Sequence, residues 1–572
     1  MFGERGSVIR IFYRGGKVVM RKRVNPWRSL GLLLAALSIL LWGLAPASAE
    51  MSSGQRNGVE RYGGVYRRPL SDNPSSLDPA RTSDVHANTV VNQVFDGLLQ
   101  FDVQLNLRPA IAEFWEASPD GLTWTFYLRK GVTFHNGRPV TADDFVYSFT
   151  RILDPALQSP VAEFFMNIDG AEEFHKGKAP VVKGLKALDP YTLQVTLQEP
   201  YAPFLSVLAM ANAKVVPREE VEKPGAEFAT HPVGSGPFRF VRWDQNREIV
   251  LQAYPDYYEG RPFLDQIIFK IGKKDLDNFT DFLHGTLEEA KVPASKRAEV
   301  RTDPRYRDYL HIRRPILHLL YIGFNTRKEP FTNPKVRQAF NYAVNKEVIV
   351  REIRKRGDIV AHAILPPIPG YSIDPEGYYY YSPERARQLL AEAGYPGGKG
   401  LPVIDIWTNS KEETTRKEME AYQKYLADIG VTLEIHRAPN WPTFKKMLQA
   451  GKPSMFRLAW YADIPDPDNF FFPLLYSQSK TNRTFYHNPQ VDRLLQEARQ
   501  ETDFLQRIAI YRKVEKLAME DAPWISQHHK VFEYLYQPYV RGIEVNSLGT
   551  HYIPMKKIWL KRPGAQQAQR VD

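Results

Sequence analysis

The chain has 572 residues, a formal charge of +11, 43% hydrophobic and 12% aromatic residues, and no cysteine. That length exceeds what one core usually holds, so two or more lobes are expected, and the composition excludes an intrinsically disordered chain. The missing cysteine excludes disulfides, thiol nucleophiles, thiolate metal sites and a lipid-modified cysteine tether.

The basic excess is local. Residues 1–49 carry eight Lys/Arg and one Glu, +7 of the total, and no basic run interleaved with aromatics speaks for nucleic acid. The same stretch reads as an export signal. Arg21, Lys22, Arg23 and Arg28 form a positive n-region, and residues 30–44 form an uncharged apolar run. Ala47-Ser48-Ala49 is a small-x-small cleavage site that leaves Glu50 as the first mature residue. A membrane span needs about 20 apolar residues, more than this run offers. Met20 is the better start codon, with residues 1–19 read as upstream sequence. Without a cysteine tether, the exported chain is expected free in the periplasm.

Further along, residues 122–128 (Leu-Thr-Trp-Thr-Phe-Tyr-Leu) alternate large apolar and more polar positions, the pattern of a half-buried strand. Residues 191–197 do the same, and 249–254 and 431–436 are shorter versions. Helices with readable caps lie between them. Thr141 and Asp144 make a capping box ahead of Phe145. Asn333-Pro334, Ser382-Pro383 and Asn488-Pro489 each place a capping side chain before a proline at the first helical position. Gly394 stops the helix that runs through Leu389 and Leu390. The mixture is α/β with long connections. No flexible linker occurs, so strands crossing between lobes are expected.

Residues 457–470 carry the most chemistry. Arg457, Leu458, Ala459, Trp460, Tyr461, Ala462 and Asp463 run from an apolar strand into a turn that also holds Asp466 and Asp468. A base, two large aromatics and an acid on one extended segment suit a ligand with charges of both signs, such as a free peptide. Taken alone, Asp463 is equally a solvated turn aspartate, and Arg457 equally a structural ion pair.

Several blocks, in order, resemble the family 5 extracellular solute-binding proteins. They include Ser76-Leu77-Asp78-Pro79, Phe95-Asp96-Gly97-Leu98-Leu99 and the long signature over 126–148. His231 to Phe238, Phe324-Asn325-Thr326, Val336 to Ala339, 389–395 and Asp521-Ala522-Pro523-Trp524 complete the set. The R-x-x-W-x-A-D pattern of Arg457, Trp460 and Asp463 resembles the oligopeptide-binding branch. Val161 stands where that branch carries a ring, and 287–293 departs from its usual turn.

The resemblance implies an α/β, two-lobed periplasmic-binding-protein-like fold (type II, cluster C) with mixed sheets, hinge strands and an extra small domain. Lobe I comprises 50–95, 220–318 and 530–572; the extra domain is 96–219; lobe II is 319–529. It implies a receptor that captures oligopeptides and delivers them to an inner-membrane ABC permease with separate ATPase subunits. A monomer without cofactor or metal is expected. Asp463 becomes the anchor for a peptide α-ammonium. Arg457 matches an arginine that meets a C-terminal carboxylate, as an alternative to its ion pair. Ala459, Trp460 and Tyr461 offer backbone groups to an added strand. Trp441 lines a side-chain pocket or packs in the core, and Thr82, Ser83, Asp84 and Val85 contact ligand from the opposite lobe. Relatives that bind nickel complexes, haem or oligosaccharides leave other ligands open. A periplasmic peptide hydrolase or a holdase-like chaperone would be a different class. Against the hydrolase, 233–237 lacks the first glycine of a nucleophile elbow and 393–399 that of a phosphate loop. His528 and His529 are adjacent, so on a strand they point to opposite faces.

Overall fold

The computed structural model describes residues 9–14, 17–22, 61–82, 84–223, 227–368 and 378–561. The apolar run and cleavage site of the expected export signal, and Ser83, lie outside these residues. Ile9–Arg14 and Lys17–Lys22 form an antiparallel pair on the edge of a sheet, which puts Arg21 and Lys22 of the expected n-region in a strand.

Four sheets carry the architecture. In the first, Val65–Leu70 pairs in parallel with Gln266–Ile271, which continues antiparallel through Glu248–Ala253 to Phe238–Asp244. The helix Val85–Val94 packs Val90, Val91 and Val94 into its core. The chain between these strands folds on its own antiparallel sheet, ordered Ala112–Ala117, Thr123–Leu128, Thr192–Thr196, Leu185–Asp189. The amphipathic helix Ala142–Leu153 covers it with Phe145, Phe149 and Ile152. Its expected capping acid is in place: the Asp144 carboxylate accepts from Thr141 N at 2.8 Å.

Another six-stranded sheet runs Ile359–Val360, Trp524–His529, His318–Phe324, Met455–Tyr461, Ile404–Thr408, Leu433–Arg437. Every residue of His318–Phe324 is buried, because separate apolar clusters cover the two faces of the sheet. A strand covered on both sides becomes a near-continuous apolar run rather than an alternating one. The three proline-led helices begin where the sequence places them, at Pro334, Pro383 and Pro489, each capped by the preceding Asn or Ser side chain. Gly394, with φ +91°, follows the second of these helices in the left-handed conformation that glycine adopts freely.

A three-stranded sheet, Glu289–Lys291, Val531–Tyr536, Leu310–Pro315, adjoins the sheet of His318–Phe324. Leu310–Pro315 pairs with Val531–Tyr536, and two residues later His318–Phe324 pairs with Trp524–His529. The same two strands thus pass between sheets side by side, at residues 316–317 and 530. Ile316 N donates to Lys530 O at 3.0 Å, and the Lys530 N–H donates to His318 Nδ1 at 3.3 Å. The sequence called for such crossings without placing them.

Candidate ligand-binding site

Met455–Tyr461 pairs along its whole length with His318–Phe324 on one side. On its other side, Ile404–Thr408 reaches only Met455 and Phe456. Among the described residues no strand covers that edge from Arg457 to Tyr461. Backbone N–H and C=O groups there are available to an extended ligand, the geometry of strand addition.

The turn after this edge holds three carboxylates, and the structure sorts them. Asp466 is bound by Arg507 through two nitrogens at 2.6 and 2.9 Å. Asp468 is bound by Arg499 at 2.9 and 3.0 Å. Both acids are buried, so they tie the turn to the helices Pro489–Gln500 and Phe504–Asp521. Asp463 differs. Its backbone is fixed, with N–H donating to Asn469 Oδ1 at 2.7 Å and C=O accepting from the Tyr552 hydroxyl at 3.4 Å. Ile464, next to it, is fully buried in the core that packs on the sheet of Ala112–Ala117 and Thr123–Leu128. No hydrogen bond or ion pair reaches the Asp463 carboxylate among the described residues. It borders a cavity of about 550 Å³. Asp463 is solvent-exposed. Protein nonetheless crowds it closely enough that desolvation raises its carboxyl to about 6. A desolvated acid with a fixed backbone and no internal partner is suited to a ligand cation.

Arg457 already has an acid. Its Nε lies 3.1 Å from Glu418 Oε2, and Glu418 is fully buried on the helix Glu413–Ala427. Arg354 also binds Glu418, and its Nε lies 3.2 Å from Asp358. One carboxylate is therefore shared between two guanidiniums. Burial lowers the Arg457 guanidinium from its usual value despite Glu418, and the Arg354 charge adds to the effect. The expectation of an arginine waiting for a ligand carboxylate is corrected to this extent: the structural ion pair is present.

Trp460 and Asp463 border the same cavity, and the Trp460 indole N–H donates to Asn469 O at 2.6 Å. Tyr461 faces a different cleft, of about 270 Å³, with Val85 across it. Their exposures, 48% and 46%, are those of residues on an open cleft wall. Lys530 Nζ stands 3.3 Å from the Tyr461 hydroxyl. Ala459, opposite Leu320 on the paired side, is partly buried.

Other expected residues have structural work. Asp84 caps the helix Val85–Val94, accepting from Ala87 N at 2.8 Å and from Ser75 N at 3.1 Å. Burial acts against its charge, but hydrogen bonds from His86, Ser75 and Ala87 prevail and hold it at about 2. Thr82 is fully buried, with its carbonyl bound by Asn212 at 2.8 Å. The Asp84 carboxylate is thus engaged locally, whereas the buried Thr82 hydroxyl makes no hydrogen bond among the described residues. Trp441 is 47% exposed at the start of its helix, edge-on to Phe444, so it is not a core residue, and it borders neither cavity.

Glu418, Asn469, Tyr552 and Lys530 were not legible as site residues. Each reaches the segment from a distant part of the chain, or from across the turn, and none belongs to a motif. The glycines of Val233-Gly-Ser-Gly-Pro have a packing role: a side chain on Gly234 or Gly236 would collide with the Val94 backbone, and Ser235 is buried. Among the described residues no group of three or more His, Asp or Glu could hold a metal ion, and no helix is long and apolar enough to cross a membrane.

The family model described as bacterial extracellular solute-binding proteins, family 5 Middle, matches residues 106–482. The chain belongs to this family. Heme-binding protein A of Haemophilus influenzae is 32% identical over 543 residues, covering 91% of this chain and 97% of that protein. The periplasmic oligopeptide-binding protein OppA of Escherichia coli is 30% identical over 479 residues, covering 82% and 87%. The Helicobacter pylori periplasmic binding protein DppA, solved with the peptide STSA, superposes with a TM-score of 0.74 at 28% identity, covering 89% of this chain and all of that one. Family 5 is a class of solute-binding receptors, and the fold is that of the type II periplasmic binding proteins, mixed α/β with several sheets.

Proposed function

We propose that this family 5 protein is the periplasmic receptor of an ABC importer, enclosing an oligopeptide between two lobes and delivering it to an inner-membrane permease. ATP hydrolysis belongs to separate subunits. The observation that carries the reading is the Asp463 carboxylate: desolvated, without an internal partner, and placed at the end of an open strand edge. The edge receives a peptide backbone of any sequence, and Asp463 receives its α-ammonium. Arg457, Trp460 and Tyr461 lie on the same strand, and Val85 faces Tyr461 across its cleft.

The lobes in this reading are 50–95 with 220–318 and 530–572, and 319–529, with 96–219 as the extra domain. The grouping of the sheets supports it, as do the paired crossings at 316–317 and 530. The relatives named for oligopeptides support the ligand class. A relative named for haem supports a second reading, haem in the same cleft.

Protein isolated from its native periplasm separates the two. Mass spectrometry of the material released on denaturation is expected to show short peptides with free amino termini. A Soret band in the purified protein with no peptide released would favour haem, and neither would leave the receptor reading without its ligand.

A further inference from the structure

No chain segment joins the extra domain of the proposed function directly to lobe II: 96–219 runs on into 220–318, and 319–529 is entered and left at the crossings, 316–317 and 530. The two nonetheless interlock. Ile464 of lobe II is fully buried in the core that packs on the sheet of Ala112–Ala117 and Thr123–Leu128, and the other buried residues of that core all come from 80–215. In return, the hairpin of Leu99–Phe101 and Leu107–Pro109 lays Phe101 and Leu105 on the cluster that holds Leu317, Phe470 and Phe471.

Polar contacts follow the same seam. The Ala202 N–H donates to Arg499 O at 2.8 Å. The Arg499 guanidinium, held by Asp468 at 2.9 Å, lies 5.4 Å from the centre of the buried Tyr201 ring. Gln500 Nε2 donates to Glu199 Oε2 at 2.7 Å. The seam thus has an apolar pin, Ile464, and a polar rim at 199–202 against 499–500. An isoleucine keeps its hydrophobic stabilisation only while it is buried. A rotation at 316–317 and 530 that parts 462–500 from 199–202 draws Ile464 out of its socket and forfeits that gain.

We infer that the extra domain is a clasp for the closed receptor: it takes up Ile464 when lobe II swings in, and so holds the cleft shut from outside the peptide site. The closed form is then stabilised by a contact that no peptide makes, and every peptide gains the same factor whatever its sequence or its amino terminus. Because Ile464 follows Asp463 directly, closing the clasp also sets that carboxylate in place. This rests on the lobes and the enclosure proposed above, and adds to them a role for the extra domain.

Pulsed dipolar spectroscopy on the exported protein tests it, with nitroxide labels at Lys178→Cys and Glu497→Cys. Both positions are exposed, one on each side of the seam, and the chain has no other cysteine. The ligand-free protein is expected to show a long-distance population beside the short one, and saturating Ala-Ala-Ala to leave only the short one. Ile464→Ala should lose the short population without ligand. It should bind Ala-Ala-Ala and its N-acetylated form each roughly thirty-fold more weakly than the unmodified protein does, the lower end of what truncating a large buried aliphatic costs. A single short distance without ligand that Ile464→Ala leaves in place overturns the clasp. So does a variant that melts well below the unmodified protein and keeps its peptide affinity, since Ile464 is then permanent core. If no peptide binds the unmodified protein, the peptide reading falls, and the ligand-free distances still decide the clasp.

Discussion

Asp463 should make peptide affinity depend on pH in a window where few other groups do. Its carboxyl is raised by desolvation from 3.8 to about 6 in the ligand-free protein. A folded value above the unfolded one means that the ligand-free fold favours the protonated acid. Any stabilisation from this group is present below about pH 4 and is lost as pH rises through about 6. An ammonium ligand reverses the preference, because it pairs with the ionised form. With a value near 6, about nine carboxyls in ten are ionised at pH 7 and about one in ten at pH 5, so affinity should fall about ten-fold between them. Over that range a peptide keeps its amine protonated and its carboxylate ionised, since these groups ordinarily titrate at about 8 and about 3.5 respectively. Buried His318, His528 and His529 have values held down by desolvation and stay neutral.

Titration calorimetry in buffers of different ionisation enthalpy reads both consequences, the loss of affinity and the release of about one proton on binding at pH 5. Asp463→Asn should bind weakly and nearly independently of pH. An N-acetylated peptide should bind the unmodified receptor with a similar deficit and lose little more in the variant, since both changes remove one contact. A flat profile in the unmodified protein, or an equally steep one in Asp463→Asn, refutes the assignment of the amine to this carboxylate.

Glu418→Gln should destabilise the fold by about 3–5 kcal/mol, the usual cost of removing one member of a buried charge pair, because it leaves Arg354 and Arg457 facing each other. Arg457→Met should cost less, since Glu418 keeps Arg354; thermal midpoints compare the two, and the opposite order counts against the shared pair. Small-angle scattering with and without a binding peptide should show a smaller radius with ligand as the lobes close about residues 316–317 and 530; identical curves at proven saturation count against hinge closure. N-terminal sequencing of the periplasmic protein should begin at Glu50, and a mature chain retaining residues 30–44 counts against the cleaved signal.

The sequence carried what is local. Capping side chains, the prolines after them and period-two strands depend on neighbours a few residues away, so Thr192–Thr196 and Pro334–Ala343 were legible. It carried the family through blocks of residues in order. It did not carry the pairing of charges, because pairing depends on which distant elements meet. In sequence, Asp463, Asp466 and Asp468 are three equivalent acids of one turn. In the fold, arginines 31 and 41 residues downstream neutralise two of them. Glu418 lies on the buried face of the helix Glu413–Ala427, where Arg354 and Arg457 converge on it from distant parts of the chain.

In the proposed function, that sorting of charges is what would let the acidic turn serve as a binding site. Were Asp463 bound by an arginine as its neighbours are, the strand edge would still accept a peptide backbone, but nothing would fix where the peptide begins. Were Asp466 and Asp468 unbound, three carboxylates would share one loop, and their repulsion would displace the Asp463 backbone that Asn469 and Tyr552 hold. The arrangement spends two arginines to leave one acid available. In the proposed function, the open edge accepts a backbone of any sequence and the free Asp463 carboxylate sets where the peptide begins.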